Sequence, residues 1–326
     1  MTLVHIPHNL APSSNVALQQ LTISFLEAGQ RIDNFLIKRL KGVPKSRLYK
    51  ALRKGEVRVN KKRIQAEYRL QEGDIIRVPP VRLPVRSEPR ALAKNTIQLI
   101  EESVLFENNT FLVINKPSGM AAHGGSGIQF GVIEAFRQLR PKLKFLELAH
   151  RLDKDTTGCM LLVKKPSVLK EVHTIFKSGA IKKTYLALVA GTWDGGRRVV
   201  DLPLNKNTLV SGERFVKPHP DGKSAKTIFE PLQCFAKATL VKASPLTGRT
   251  HQIRVHSAYL GHPILGDVKY GYTGSMTGLR VKHLLLHAAS LEFELLGQVF
   301  AFSACCDDEF NRVLDLLQKP VSSACS

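Results

Sequence analysis

AHRLDKDTTGCMLLVKK, residues 149–165, joins a polar loop to an apolar run, and the two halves ask for different surroundings. Met160–Val163 is short and unbroken in its apolarity, the pattern of a buried strand. A loop carrying His150, Arg151, Asp153, Lys154 and Thr156, pinned against such a strand, is a place where a site is held rigidly. Asp153 stands among Arg151, Lys154 and other polar groups, which favours its ionised form. An Asx-turn, with the carboxylate accepting backbone hydrogen bonds at a loop corner, explains the loop equally well.

Working outward, Val104–Phe106 and Phe111–Asn115 read as a hairpin turning through Glu107-Asn108-Asn109-Thr110. Helical spacing appears over Val132–Leu139, Val168–Lys177, Thr250–Leu260 and Asp308–Leu317. Further strands are predicted at Thr184–Val189, Thr227–Phe229, Thr239–Ala243, Ala288–Phe293 and Val299–Phe302. Many strands with interspersed helices and no regular βαβ alternation argue for an α+β domain with a mixed or antiparallel sheet.

The chain of 326 residues has room for two domains, and its charge points to the first one's partner. Lys and Arg outnumber Asp and Glu 48 to 27, a formal charge of +21. Such an excess costs self-repulsion, and a polyanion is its commonest compensation. Between residues 31 and 80, fifteen Lys/Arg stand against five Asp/Glu. Ile32, Phe35, Leu36 and Leu40 mark one amphipathic helix, which Gly42-Val43-Pro44 breaks. Ser46 is placed to cap a second helix that turns Leu48 and Leu52 inward and ends at Gly55. Val57 and Val59 alternate as a strand, Asn60–Arg63 turns the chain, and Asp74–Val78 supplies another strand. Arg47, Lys50 and Lys54 then share the second helix's solvent face, with Arg58, Lys61, Lys62 and Arg63 at the strand and turn. That is a compact basic surface suited to structured RNA.

A Pro/Arg-rich stretch over 78–95 reads as extended linker. The division is a flexible tail over 1–20, an RNA-binding domain over 21–80, a linker over 81–100 and a second, larger domain over 101–320. No apolar run approaches the ~20 residues that span a bilayer. The N-terminus lacks the charged start and apolar core of a signal peptide. Cys159, Cys234, Cys305, Cys306 and Cys325 form no CxxC pair or zinc spacing and suit a reducing cytosol. A cytoplasmic protein with no membrane partner and no metal is expected.

Two further segments carry chemistry. In TGRTHQIRVH (247–256), a helix beginning near Thr250 puts His251 and Arg254 on one face, from which Arg254 could bond and orient a buried carboxylate. In KKTYLALVAG (182–191), Tyr185 begins an apolar strand, its ring buried and its hydroxyl in need of a partner. Alone, these are a basic surface helix and a core tyrosine. A metal-dependent nuclease built from His150, Asp153, His251, His256 and Asp267 is disfavoured, because interleaved arginines repel a cation. HGGSG (123–127) lacks nucleotide-loop spacing.

Together the segments resemble the RluA family of pseudouridine synthases. AHRLDKDTTG resembles its HRLDxxTSG motif, with Thr157 where the family usually has Ser; KKTYLALV resembles its KKxY strand. GRTHQIRVH and GHPILGD (261–267) resemble its GRxHQxRxH…GHPIxGD stretch, and INKPSGMAAHGG (114–125) and GKSAKT (222–227) also look like family pieces. The leading domain is similar to the S4 RNA-binding domain, and GVPKSRLYKALRKGEVRVNKKRI (42–64) looks closest to the RluC type. The resemblance implies a pseudouridine synthase fold with a mixed, mainly antiparallel sheet. It also implies a multi-site isomerase of uridines in bacterial 23S rRNA, working without cofactor or metal; a monomer is the default expectation. A non-catalytic S4-type assembly factor, or a relative acting on other rRNA or tRNA uridines, is the alternative. By position, Asp153 matches the catalytic aspartate, attacking ribose C1′ or uracil C6. Arg254 matches the arginine that pairs with it, Tyr185 the tyrosine that stacks on uracil, and Arg151 the residue that fills the space the base vacates.

Overall fold

A computed structural model of the chain describes residues 15–16, 19–40, 43, 45–82, 93–124, 130–208 and 214–319. The chain divides into two compact units, residues 1–91 and 92–326.

The first unit runs β1 (Asn15–Val16), β2 (Gln19–Thr22), α1 (Ile32–Arg39), α2 (Lys45–Arg53), β3 (Arg58–Val59), β4 (Ile75–Val78) and β5 (Val81–Arg82). Strands β2, β4 and β3 form an antiparallel sheet in that order. The helical period works as expected: Ile32, Phe35 and Leu36 from α1 and Leu48 and Leu52 from α2 join Val57, Val59, Ile76 and Val78 in one core. Truncating the fully buried Leu36 to Ala would cost about 2–5 kcal/mol. Helix α2 starts at Lys45, so Ser46 lies inside its first turn and does not cap it. Asn60 and Lys61 turn the chain with positive φ of 49° and 67°. Buried Asp74 fixes that turn by accepting from Asn60 Nδ2 at 2.7 Å and from the Tyr68 hydroxyl at 3.0 Å. Within the stretches read as tail and linker, β1 and β5 pair antiparallel; residues 1–14 and 83–92 lie outside the described residues, as do Gly42, Pro44, the last three residues of HGGSG and Cys325.

The second unit begins with α3 (Lys94–Glu102), a helix in a stretch read mostly as linker. There follow β6 (Val104–Glu107), β7 (Phe111–Lys116), α4 (Val132–Leu139), β8 (Glu147–Leu148), β9 (Thr157–Val163), α5 (Pro166–Ser178) and β10 (Lys182–Ala190). Then come β11 (Arg198–Asp201), β12 (Leu204–Thr208), β13 (Arg214–Pro218), β14 (Lys226–Cys234), β15 (Ala238–Pro245), α6 (Gln252–Tyr259), β16 (Leu286–Leu295), β17 (Gln298–Ser303) and α7 (Asp308–Gln318). Ten strands make one sheet, ordered β11-β14-β15-β10-β16-β9-β7-β6, with β17 on β16 and β8 on β9. Its pairings are antiparallel except β16 with β9, so the sheet is mixed and mainly antiparallel within an α+β fold.

That short parallel contact, Ala288 opposite Gly158, sits where the polar loop enters β9. Gly158 has φ +105, and a Cβ there would lie 2.2 Å from the Ala288 carbonyl oxygen. Only glycine lets the loop run this close to the central strand. Every residue of β9 is buried, as its unbroken apolar run requires. No helix among the described residues is long and apolar enough to cross a membrane.

Candidate active site

The loop between β8 and β9 is tied down at several points. Thr156 N–H donates to the Asp153 carbonyl at 3.2 Å, closing a turn, and Leu152 is buried in the core. His150 Nε2 accepts from Leu161 N–H at 3.1 Å. Burial first, then the charge of Lys183, pulls that imidazole down to about 3, so it stays a neutral acceptor. Thr157 keeps the hydroxyl its position asks for, hydrogen-bonded to His287 Nδ1 at 2.8 Å.

Lys116, at the end of β7, is wholly buried. Its ammonium donates to the carbonyls of Pro117 at 2.7 Å, Met120 at 2.8 Å and Lys154 at 2.9 Å. Three acceptors match the three N–H bonds of the charged form. Desolvation lowers its pKa to about 7 against the opposing charges of Asp155 and Asp153. The last of its bonds pins the backbone next to Asp153.

The side chain of Asp153 makes no Asx-turn. Its Oδ2 accepts from Arg254 Nη1 at 3.1 Å, and His251 Nε2 lies 3.8 Å away. Oδ1 has no hydrogen bond among the described residues and Asp153 lines a cavity of about 1070 Å³. Arg254, on α6, spends its other two edges on Asp267: Nε to Oδ2 at 2.7 Å and Nη2 to Oδ1 at 2.8 Å. The Asp267 side chain is 1% exposed, so this fork is buried. Burial works against the Arg254 charge, but the bonds and charge of Asp267, with the charge of Asp153, outweigh it and raise the guanidinium above its ordinary value. The Tyr270 ring lies 5.0 Å from the same guanidinium.

Buried Gln252 holds this helix start. Its Oε1 accepts from Thr247 Oγ1 at 2.6 Å and Arg249 N–H at 3.0 Å, while its Nε2 donates to Lys226 O and Thr227 Oγ1, both at 2.9 Å. Helix α6 therefore starts at Gln252, and His251 precedes it in a left-handed conformation, φ 54°. Expected on one helical face, His251 and Arg254 reach Asp153 from different backbone geometry.

Tyr185 lines the cavity from β10, paired to Ala288 and Ala243. Burial raises its phenol above the usual value, with Asp153 adding, so it stays protonated. Its hydroxyl makes no hydrogen bond among the described residues, contrary to the need for a partner, and the residue lines the cavity instead. Arg151 is exposed at the same cavity, along with Lys154, Lys177 and Arg249, and half-buried Lys183 also lines it. Lys183 has no ion pair among the described residues.

The structure thus brings Asp153, Arg254, Tyr185 and Arg151 to one cavity. The proposed cation set does not assemble. His150 and His256 use their ring nitrogens on Leu161 N–H, Thr227 and Leu202, and both Asp267 oxygens hold Arg254. The basic residues of the first unit lie on that unit: Lys50, Lys54, Lys61, Lys62 and Arg63 are exposed without an ion pair among the described residues. Arg47 is engaged by Glu56 at 2.7 Å, and Arg58 donates to the Gly55 carbonyl at 3.2 Å. Sequence reasoning missed Asp267 as the arginine's anchor, although it ends the quoted GHPILGD, and missed Lys116 within INKPSG. Tyr270 left no signal.

Comparison with known proteins is consistent with this geometry. The family described as RNA pseudouridylate synthase matches residues 110–259, and the S4 domain matches 30–76. The chain is 51% identical over 315 residues to a protein of Pasteurella multocida named ribosomal large subunit pseudouridine synthase C, covering 95% of this chain and 97% of that one. It is 50% identical over 302 residues to the protein of that name in Escherichia coli K12, covering 90% and 94%. Among solved structures, human RNA pseudouridylate synthase domain containing 4 superposes with TM-score 0.58 at 26% identity, covering 68% of this chain and 95% of that one.

Proposed function

The chain belongs to the RNA pseudouridylate synthase family, and from that premise we propose that it isomerises specific uridines of bacterial 23S rRNA to pseudouridine at more than one position. The observation that carries the chemical part is one carboxylate with two unlike oxygens. Oδ2 of Asp153 is bonded to a guanidinium fixed elsewhere, while Oδ1 has no hydrogen bond among the described residues and belongs to a residue that lines a cavity.

A uridine inside RNA reaches such a cavity only by leaving its stack. Arg151 fills the space left behind, and the base lies against the Tyr185 ring. Oδ1 of Asp153 bonds to ribose C1′ or uracil C6, the bond between N1 and C1′ breaks, the uracil turns, C5 bonds to C1′, and the bond to Oδ1 breaks again to restore the carboxylate. C5 gives up its proton and N1 ends with one, so substrate and product hold the same atoms. No redox partner or group donor is required, and we assign neither cofactor nor metal. The raised Tyr185 phenol is a poor base, so it positions the uracil and the C5 proton leaves through water.

Lys50, Lys54, Lys61, Lys62 and Arg63 of the S4 unit, helped by Arg47 and Arg58, bind phosphates of the rRNA. The enzyme works as a monomer in the cytoplasm. The test is to map pseudouridine in 23S rRNA from cells lacking the gene, complemented with wild type or Asp153→Asn. The modification returns with wild type and stays absent with the variant. Its return with the variant removes Asp153 from the chemistry.

A further inference from the structure

His251 and Tyr270 stand beside the reacting carboxylate with no part in the steps above. The His251 backbone is left-handed, φ 54°, a strained conformation for a residue with a Cβ. Gln252 and the α6 start hold it there, and the result is an imidazole edge 3.8 Å from Oδ2 of Asp153.

The position of its proton follows from its partners. Val216 N–H, on β13, donates to the Tyr270 hydroxyl oxygen at 3.2 Å. The hydroxyl's own hydrogen then has one acceptor among the described residues, His251 Nδ1, at 2.6 Å. A ring that accepts at Nδ1 carries its hydrogen on Nε2, the nitrogen facing Asp153. The opposite tautomer would leave the phenol hydrogen without an acceptor and aim a lone pair at a carboxylate. Burial disfavours the doubly protonated ring. Around it, Asp153 and Asp267 pull its pKa up while Arg254 and Lys269 push it down, and burial outweighs them.

We propose that His251, its proton placed by Tyr270, is a second hydrogen-bond donor to Oδ2 of Asp153, closing from 3.8 Å once a nucleotide fills the cavity. This rests on Asp153 being the nucleophile. When Oδ1 is bonded to the nucleotide, Oδ2 is the carbonyl oxygen of an ester, and Asp153 must leave again to finish the turnover. Donors on Oδ2 from Arg254 and His251 stabilise the departing carboxylate. His251 transfers no proton in this role, and being neutral it adds no charge that would quench the nucleophile. His251 and Tyr270 are positioning residues: they act through Asp153.

Two measurements test this on the full chain. Nitrogen-15 NMR of labelled histidine rings, with His251 assigned from a variant, reads the tautomer directly. An Nε2–H ring is expected, and an Nδ1–H or doubly protonated ring at pH 7 overturns the proposal. Single-turnover rates then compare two amides. The glutamine amide of His251→Gln reaches the Nε2 position, whereas that of His251→Asn reaches only the Nδ1 position. We expect His251→Asn to lose about 10–100-fold in the chemical step at unchanged RNA affinity, and His251→Gln to recover most of it. Equal rates for the two, or a change in affinity alone, overturns the role. Turnover by Asp153→Asn would instead remove the nucleophile reading, an outcome the tautomer measurement cannot mimic.

Discussion

The two units carry their positive charge in opposite ways. On the S4 unit, Lys50, Lys54, Lys61 and Lys62 are exposed and make no ion pair among the described residues. In the catalytic unit, Arg254 has three edges committed, two to Asp267 and one to Asp153. Long, hydrated ammonium groups follow a phosphate backbone in many geometries. A guanidinium with a buried counter-ion permits one geometry, and that is what a carboxylate nucleophile needs. On the proposed reading, affinity for rRNA is spread over replaceable charges, whereas the reaction hangs on a few atoms held from behind.

The sharpest way to break that contrast is Asp267→Asn. It leaves Arg254 buried with only Asp153 to offset its charge, so the catalytic unit should lose about 3–5 kcal/mol of stability. The loosened guanidinium should cost roughly 10²-fold in turnover. Urea unfolding and single-turnover rates check both, with RNA affinity expected to stay within twofold of wild type. Arg254→Lys keeps the charge but cannot make the fork, and should lose turnover to a similar degree.

A smaller effect appears on lowering the pH. Unfolded His150 takes up a proton near 6.5, but the folded ring does so only near 3. Between those values the unfolded state binds more protons, so stability falls as pH falls through this window. His150→Gln still accepts from Leu161 N–H and does not titrate, so the stability profile of the variant should be flatter from pH 6.5 down to 3.

The smallest effects belong to the S4 unit. Lys50→Glu with Lys54→Glu should weaken rRNA binding about tenfold and lower the salt dependence by about two phosphate contacts, leaving single-turnover rate at saturation unchanged. Arg47→Ala should cost about threefold or less, because Glu56 already engages that side chain. Filter binding across a salt series ranks the two variants. An Arg47 effect as large as that of the lysine pair would erase the distinction between free and engaged charge.

How much of this could be read from sequence depended on distance along the chain. Helices such as Val132–Leu139 declared themselves because their apolar positions recur within a few residues. Met160–Val163 likewise read as a buried strand from four consecutive letters. Asp153, Arg254 and Tyr185 were legible as motif positions, and the resemblance assigned their roles. What joins them was not legible: Asp267 lies 13 residues from Arg254 and 114 from Asp153, and nothing local marks an acid as a counter-ion rather than a turn residue. Strands β11 to β13, with their mixed polar sequence, carry too little alternation to stand out. The cap assigned to Ser46 failed for a local reason: the helix starts one residue earlier, at Lys45.

The central claim is that Oδ1 of Asp153 begins a reaction in which uracil C5 exchanges its hydrogen for ribose carbon. Release of tritium from 23S rRNA labelled at uridine C5 measures that exchange. Wild type should release the label in proportion to the sites it modifies, and Asp153→Asn should release at least about 10⁴-fold more slowly while binding the RNA as tightly. Release by Asp153→Asn at the wild-type rate would contradict the account.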